Sequence, residues 1–138
     1  MRVVLDTNVI VSATLSPDGP SGRLLERFVL GSGQIVPVID GRMLDEYREV
    51  LSRRKFRFPA QLVEDLLEAI EAVAVFIDDV PSIQDTTTPQ DDRPFLEVAV
   101  VGGASFLVTG NARHFKDADR FGVDVIAPGA FLRLFEEE

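Results

Sequence analysis

Short apolar runs alternate with stretches of helical period along the chain, and this alternation predicts the elements in order. Val3-Val4-Leu5 reads as a buried strand, because a strand covered on both faces shows an unbroken apolar run rather than a period of two. A short helix over residues 9–13 follows, and Ser16-Pro17-Asp18-Gly19-Pro20 is a turn by composition. Leu24, Leu25 and Phe28 then recur at helical spacing as far as Gly31. Residues 35–38 form the second strand candidate, with Pro37 favouring its end. Helices are expected over 41–54 and 60–72, and a third strand over 73–77. A polar loop over 81–90 carries three consecutive Thr. The helix after it, 92–101, is closed by Gly102-Gly103. Strands over 106–108 and 123–126 and a last helix over 128–135 complete the pattern.

Apolar strands separated by helices imply a parallel sheet covered on both faces. The expected fold is α/β: a three-layer α/β/α sandwich with a central, mostly parallel sheet of about five strands, in one domain spanning 1–138. In such a sheet, ligands bind beyond the carboxyl ends of the strands, near the point where the strand order reverses.

Several carboxylates stand where that mouth should be. Asp6 ends the first strand. It is either a functional group or the N-cap of the following segment, and Thr7 and Asn8 could cap in its place. Asp92 opens the helix over 92–101 and lies at about 60° on its wheel, inside the face formed by Phe95, Leu96 and Ala99. Glu97 lies opposite that face. A carboxylate aimed at a core costs several kcal/mol unless paired or coordinated. The other reading of Asp92 is an N-cap before Pro94, and the two are compatible. On the helix over 41–54, Met43, Leu44, Tyr47, Val50 and Leu51 form the apolar stripe. Glu46 sits at its edge, while Asp45 and Glu49 point to water. Glu46 is either a mouth residue or an ordinary exposed acid. Thr109 and Asn111 offer oxygens after the fourth strand, with Gly110 between them for close backbone approach.

Composition narrows the chemistry. The 138 residues include no Cys and one His, so disulfides, Cys-ligated metals, Cys nucleophiles and multi-His sites are excluded. With 14 Lys+Arg against 23 Asp+Glu the net charge is −9, which argues against non-specific binding of a polyanion without a basic patch or bound cations. Glu136, Glu137 and Glu138 are expected to form a solvated terminal run. Two or three carboxylates converging at a sheet mouth make a hard oxygen site suited to Mg²⁺ or Mn²⁺, and such an ion would also supply the positive potential the chain lacks. No stretch approaches the roughly 18–20 apolar residues of a membrane span, and a cytoplasmic location is the expectation.

Basic residues are scarce but clustered. Arg53, Arg54, Lys55 and Arg57 interleave with Phe56 and Phe58, a combination that can position phosphates and stack bases. The same residues also read as cations at a helix C-terminus with both rings facing the core. Arg113, His114 and Lys116 follow the fourth strand. His114 reads as polar surface more readily than as an acid–base group.

The chain resembles the PIN domain, a family of metal-dependent ribonucleases that includes VapC-like toxins. The resemblance rests on four segments in family order: Val4-Leu5-Asp6-Thr7-Asn8-Val9, Leu44-Asp45-Glu46-Tyr47 through Leu51, Asp91-Asp92-Arg93-Pro94 through Ala99, and Phe106-Leu107-Val108-Thr109-Gly110-Asn111 through Phe115. It implies that Asp6, Glu46 and Asp92 are metal-binding acids for RNA cleavage, supported by Thr7, Asn8 and Thr109. Where the family often carries a fourth acid this chain has Asn111, which can ligate through its carbonyl but brings no charge. Asp117 is nearby, but no motif gives it that role. The resemblance further implies an RNA substrate, a small antitoxin encoded beside it, and a homodimer or higher homo-oligomer. A PIN-like scaffold that binds RNA or protein without catalysis is the alternative. A haloacid-dehalogenase-like phosphatase would need an acid where Asn8 stands, and no Gly-rich phosphate loop is present.

Overall fold

The computed structural model describes residues 1–136. Five strands, β1 (Arg2–Leu5), β2 (Val36–Ile39), β3 (Val75–Phe76), β4 (Phe106–Val108) and β5 (Asp124–Ile126), form one sheet in the order β3-β2-β1-β4-β5. Every pair is parallel, so the sheet is wholly rather than mostly parallel. The helices are α1 (Thr7–Leu15), α2 (Pro20–Arg23), α3 (Gly41–Leu51), α4 (Ala60–Val73), α5 (Arg93–Val101) and α6 (Pro128–Glu136). This is the expected α/β architecture.

The strand order fixes the mouth. From β1 the chain moves outward through β2 to β3, then returns across the sheet to β4 and on to β5. With right-handed crossovers, the two directions put their connections on opposite faces. The switch point therefore falls between β1 and β4, whose register pairs Leu5 with Val108. Asp6 and Thr109 are the next residues on either side of this crevice.

Val3, Val4, Leu107 and Val108 are fully buried at the centre of the sheet, which explains their unbroken apolar runs. On α3, Met43, Leu44, Tyr47 and Leu51 are buried as the stripe predicts, and Val50 is half-buried. Asp45 and Glu49 are exposed as expected.

Several local expectations change. Pro37 is the second residue of β2, paired with Val3, rather than its end. It is tolerated because the β3 ladder begins only at Val38, so β2 has one neighbour at Pro37. The helix over 41–54 stops at Leu51 and a separate 3₁₀ turn, Arg54–Phe56, follows. The helical run before Gly31 is partly π-helical: α2 continues into Leu24–Val29, with Leu30 N–H donating to Leu25 O at 2.9 Å and Ser32 N–H to Arg27 O at 2.8 Å. The widened turn crowds its own exit. A Cβ on Gly31 would lie 2.5 Å from Arg27 O, so only glycine fits. Gly103 closes α5 with φ of 65°, the left-handed cap that the Gly pair predicts.

Two acids have partners that the sequence does not show. Glu97, opposite the apolar face of α5, is nonetheless only 3 % exposed. The 81–90 loop packs over the outer side of α5, with Ile83 N–H donating to Glu97 Oε2 at 2.7 Å, and Arg42 Nη1 reaches Glu97 Oε1 at 2.7 Å. Glu136 is exposed as expected, and it also accepts from Arg23 at 3.2 Å and Arg27 at 3.0 Å, tying α6 to the helical run before Gly31. Glu137 and Glu138 lie outside the described residues.

Candidate active site

Asp6, Glu46 and Asp92 reach one cleft of about 440 Å³ from three different elements, and Thr7, Asn8, Asn111 and His114 line it with them. The floor is made where β1 and β4 end. Asp6 is in extended backbone and its Oδ1 accepts from Thr7 N–H at 2.8 Å, so it caps α1. Its second oxygen faces Thr109 Oγ1, which donates at 2.7 Å, and Asn8 Nδ2, which donates at 3.2 Å. The capping reading of Asp6 holds, and the residue also lines the cleft.

Asn8 ties the two strand ends to each other. Its Oδ1 accepts from Gly110 N–H at 3.0 Å, and Nδ2 lies 3.4 Å from Thr109 Oγ1. Asn111 N–H donates to Thr109 Oγ1 at 2.9 Å, leaving the Asn111 side chain at the cleft wall. Gly110 does not serve a close backbone approach. A Cβ there would meet Asn8 Oδ1 at 3.6 Å, an ordinary contact.

Glu46 is half-buried and accepts from the Thr7 hydroxyl. Thr7 thus connects the first residue of α1 to the middle of α3. Behind it, the buried Tyr47 hydroxyl donates to Leu5 O, fixing α3 against β1. Asp92 occupies the N-cap position of α5 but makes no capping bond. Its Oδ2 instead lies 3.0 Å from His114 Nδ1. Asp92 ends a 3₁₀ turn, Gln90–Asp92, just before α5 rather than opening the helix over 92–101; it is half-buried, and its side chain lines the cleft.

Burial pushes the Asp6 carboxyl above its ordinary range. The bonds from Thr109 and Thr7 N–H oppose that rise, and the Asp92 charge adds to it. Glu46 is likewise raised, first by burial, with Thr7 opposing and the charges of Asp6, Asp92 and Asp91 reinforcing. These acids therefore share a poorly solvated space in which their like charges repel. Among the described residues, no three His, Cys, Asp or Glu side chains stand close enough together to form a ready metal-ligating group. The cleft brings the acids to a common space without drawing them onto one point.

The basic residues lie to one side. Arg53 is held by Glu49 at 3.0 Å. Arg54, Lys55 and Arg57 are exposed and have no acid partner among the described residues. Phe56 and Phe58 do not both turn to the core: Phe58 packs against it, while Phe56 stacks on Phe58 and lines the cleft. Arg113 is exposed on the 3₁₀ turn Ala112–Phe115, next to His114.

His114 is the residue the sequence undervalues. Nothing local marks its partner, which lies 22 positions earlier. Its one legible signal is its place just after the Thr109-Gly110-Asn111 mouth. Asp117 stays outside the cleft. It accepts from Thr86 Oγ1 at 2.8 Å and Thr87 N–H at 2.9 Å, anchoring the Thr-rich loop. Burial raises its carboxyl, but these bonds outweigh that and hold it below the ordinary range.

No curated protein matches the chain in a sequence search. A family model described as PIN domain matches residues 2–113, which cover the first three quoted segments whole and the fourth as far as Arg113, and the chain belongs to the PIN domain family.

Proposed function

We propose that the protein is a Mg²⁺- or Mn²⁺-dependent endoribonuclease, with Asp6, Glu46 and Asp92 as its metal-holding acids. PIN domains are in general nucleases, and no described helix is long and apolar enough to cross a membrane. The observation that carries the finer reading is the donor set: three carboxylates face one cleft, two with raised protonation, and no basic side chain lines it except His114. Oxygen donors with uncompensated negative charge suit a hard divalent ion. Asn111 adds a neutral carbonyl. Bound there, the ion would supply Lewis-acid stabilisation of the phosphodiester oxygens and polarise water.

The chain's own residues set the geometry. Thr109, Thr7 N–H and Asn8 fix the orientation of Asp6, and the Thr7 hydroxyl holds Glu46. His114 orients Asp92. These contacts correspond to the outer hydrogen bonds that tune metal ligands elsewhere. Arg54, Lys55, Arg57 and Arg113 flank the cleft as phosphate-positioning groups for an otherwise acidic surface. In the cell the protein would be the toxin of a toxin–antitoxin pair, with a small antitoxin covering the cleft, acting in the cytoplasm as a homo-oligomer.

Asp92→Asn tests this reading, since it keeps size and removes charge. RNA cleavage in Mn²⁺ should fall at least 100-fold while the fold is retained; undiminished cleavage would sink the assignment. A second reading, an inert PIN scaffold, is favoured by Asn111 and by acids that stand apart. Titrating Mn²⁺ against thermal stability separates the two, because a site that binds the ion is stabilised by it.

A further inference from the structure

The cleft continues beyond its acids. On α1, Thr7 is succeeded by Val11 and Leu15. On α3, Glu46 is succeeded by Val50, and Phe56 closes that end. Four residues advance a helix by about 6 Å, so an apolar compartment adjoins the acidic one. We infer that this compartment is a nucleobase subsite, in which an unpaired base beside the bond being cut lies against Phe56 between Val11 and Val50. The inference rests on the nuclease reading and specifies which part of the substrate the site selects.

Three observations support it. A nucleotide joins a charged phosphate to a flat, largely apolar ring, and the cleft offers a compartment for each side by side. Phe56 is held for contact: its ring lies 5.6 Å from that of Phe58 with an interplanar angle of 9°, and Phe58 packs on the core. The surrounding charge also has the right sign. Lys55 Nζ lies 5.1 Å from the Phe56 ring centroid, and Arg54 and Arg57 bracket it in the chain without acid partners among the described residues. Arg57 has φ of 57°, a backbone region that L side chains rarely adopt. On a chain of net charge −9, this concentration of uncommitted cations beside an aromatic ring fits the phosphates flanking a stacked base. Ser12 and Ser16 line the same end and present hydroxyls to a base edge.

The test is steady-state cleavage in Mn²⁺ of single-stranded oligoribonucleotides of mixed sequence, each carrying one abasic residue at a different position. With the wild-type protein, one fixed offset from the cut should raise KM when abasic. Phe56→Ala should raise KM by about 5- to 150-fold on the intact substrate, the range of lost base–aromatic stacking, with kcat little changed. On the substrate abasic at that offset, Phe56→Ala should cost nothing further. Phe56→Trp should restore KM, which guards against a variant that merely folds poorly, and its melting temperature is measured alongside. A cleaving wild type with an unchanged KM in Phe56→Ala, or with no sensitive abasic position, overturns the subsite and leaves the nuclease reading standing. Equal cleavage of the same sequence inside a duplex also overturns the subsite. A wild type that cuts none of these RNAs overturns both.

Discussion

Arg42 bridges two carboxylates that are otherwise shut away from water, and its removal should be felt well beyond the surface it occupies. Its Nη2 lies 2.8 Å from Asp40 Oδ2 and its Nη1 2.7 Å from Glu97 Oε1, and the two acids are 5 % and 3 % exposed. Arg42→Ala leaves Glu97 with only Ile83 N–H and Asp40 with only Met43 N–H. Removing one partner of a fully buried pair costs about 3–5 kcal/mol. Arg42 itself is 44 % exposed, so water fills part of its place. We therefore expect a loss of about 2–3 kcal/mol. A chain of this length unfolds with an entropy of about 0.3 kcal/mol/K, so the melting temperature should fall by about 7–10 °C. Glu97→Gln keeps an acceptor for Ile83 N–H and removes the charge. The double variant Arg42→Ala/Glu97→Gln should accordingly recover about 1 kcal/mol relative to Arg42→Ala alone. Urea unfolding of the four proteins in EDTA closes the double-mutant cycle. If Arg42→Ala costs less than about 0.5 kcal/mol, or if the double variant is less stable than Arg42→Ala, the pair is not the buried charge couple described.

The raised carboxyls of Asp6 and Glu46 make the metal-free protein pH-sensitive in a defined direction. The native state holds their protons where the unfolded chain has released them, so stability should fall as pH rises from about 4 through the raised values, and flatten above. Saturating Mn²⁺ should oppose that fall with an increment that grows with pH. A metal-free stability that rises across this window would contradict the burial of these acids. Thr109→Val removes the hydroxyl that donates to Asp6 Oδ2 at 2.7 Å while keeping its shape. Mn²⁺ affinity, measured by calorimetry, should weaken by about 10-fold or more, as for other outer contacts of metal ligands; an unchanged affinity would remove Asp6 from the ligand set.

Asp6 and Asp92 were legible because a charged group breaks an apolar pattern at a strand end or on a helix face, and both signals are local. Glu46 was legible only as the edge of a stripe. The burial of Glu97 was not legible, because α5 is covered on the side opposite its apolar face by a loop reaching it from Ile83 and by Arg42 from α3, 55 positions away. The contact of His114 with Asp92 escaped for the same reason. The Phe56 ring reads first as a core residue and only second as a stacking surface. Its actual place depends on the chain leaving α3 at Leu51 and turning tightly through Arg54–Phe56, a stop the periodicity did not show. Patterns in sequence report what each element presents, and partners supplied from elsewhere in the chain decide what meets it.

The bonds between Asp6 and Thr109 and between Asn8 and Gly110 span 103 and 102 positions. Bringing ends so far apart together costs about 4 kcal/mol in the logarithmic loop term alone, and it can happen only after β4 has been synthesised. A nascent chain emerging from the ribosome would carry Asp6, Glu46 and Asp92 in turn. The Thr7 hydroxyl can hold Glu46 early, but Asp6 gains its Thr109 bond and Asp92 its His114 contact only once β4 and the turn after it have formed. If these acids cut RNA, the complete site cannot form before β4 and His114 have left the ribosome.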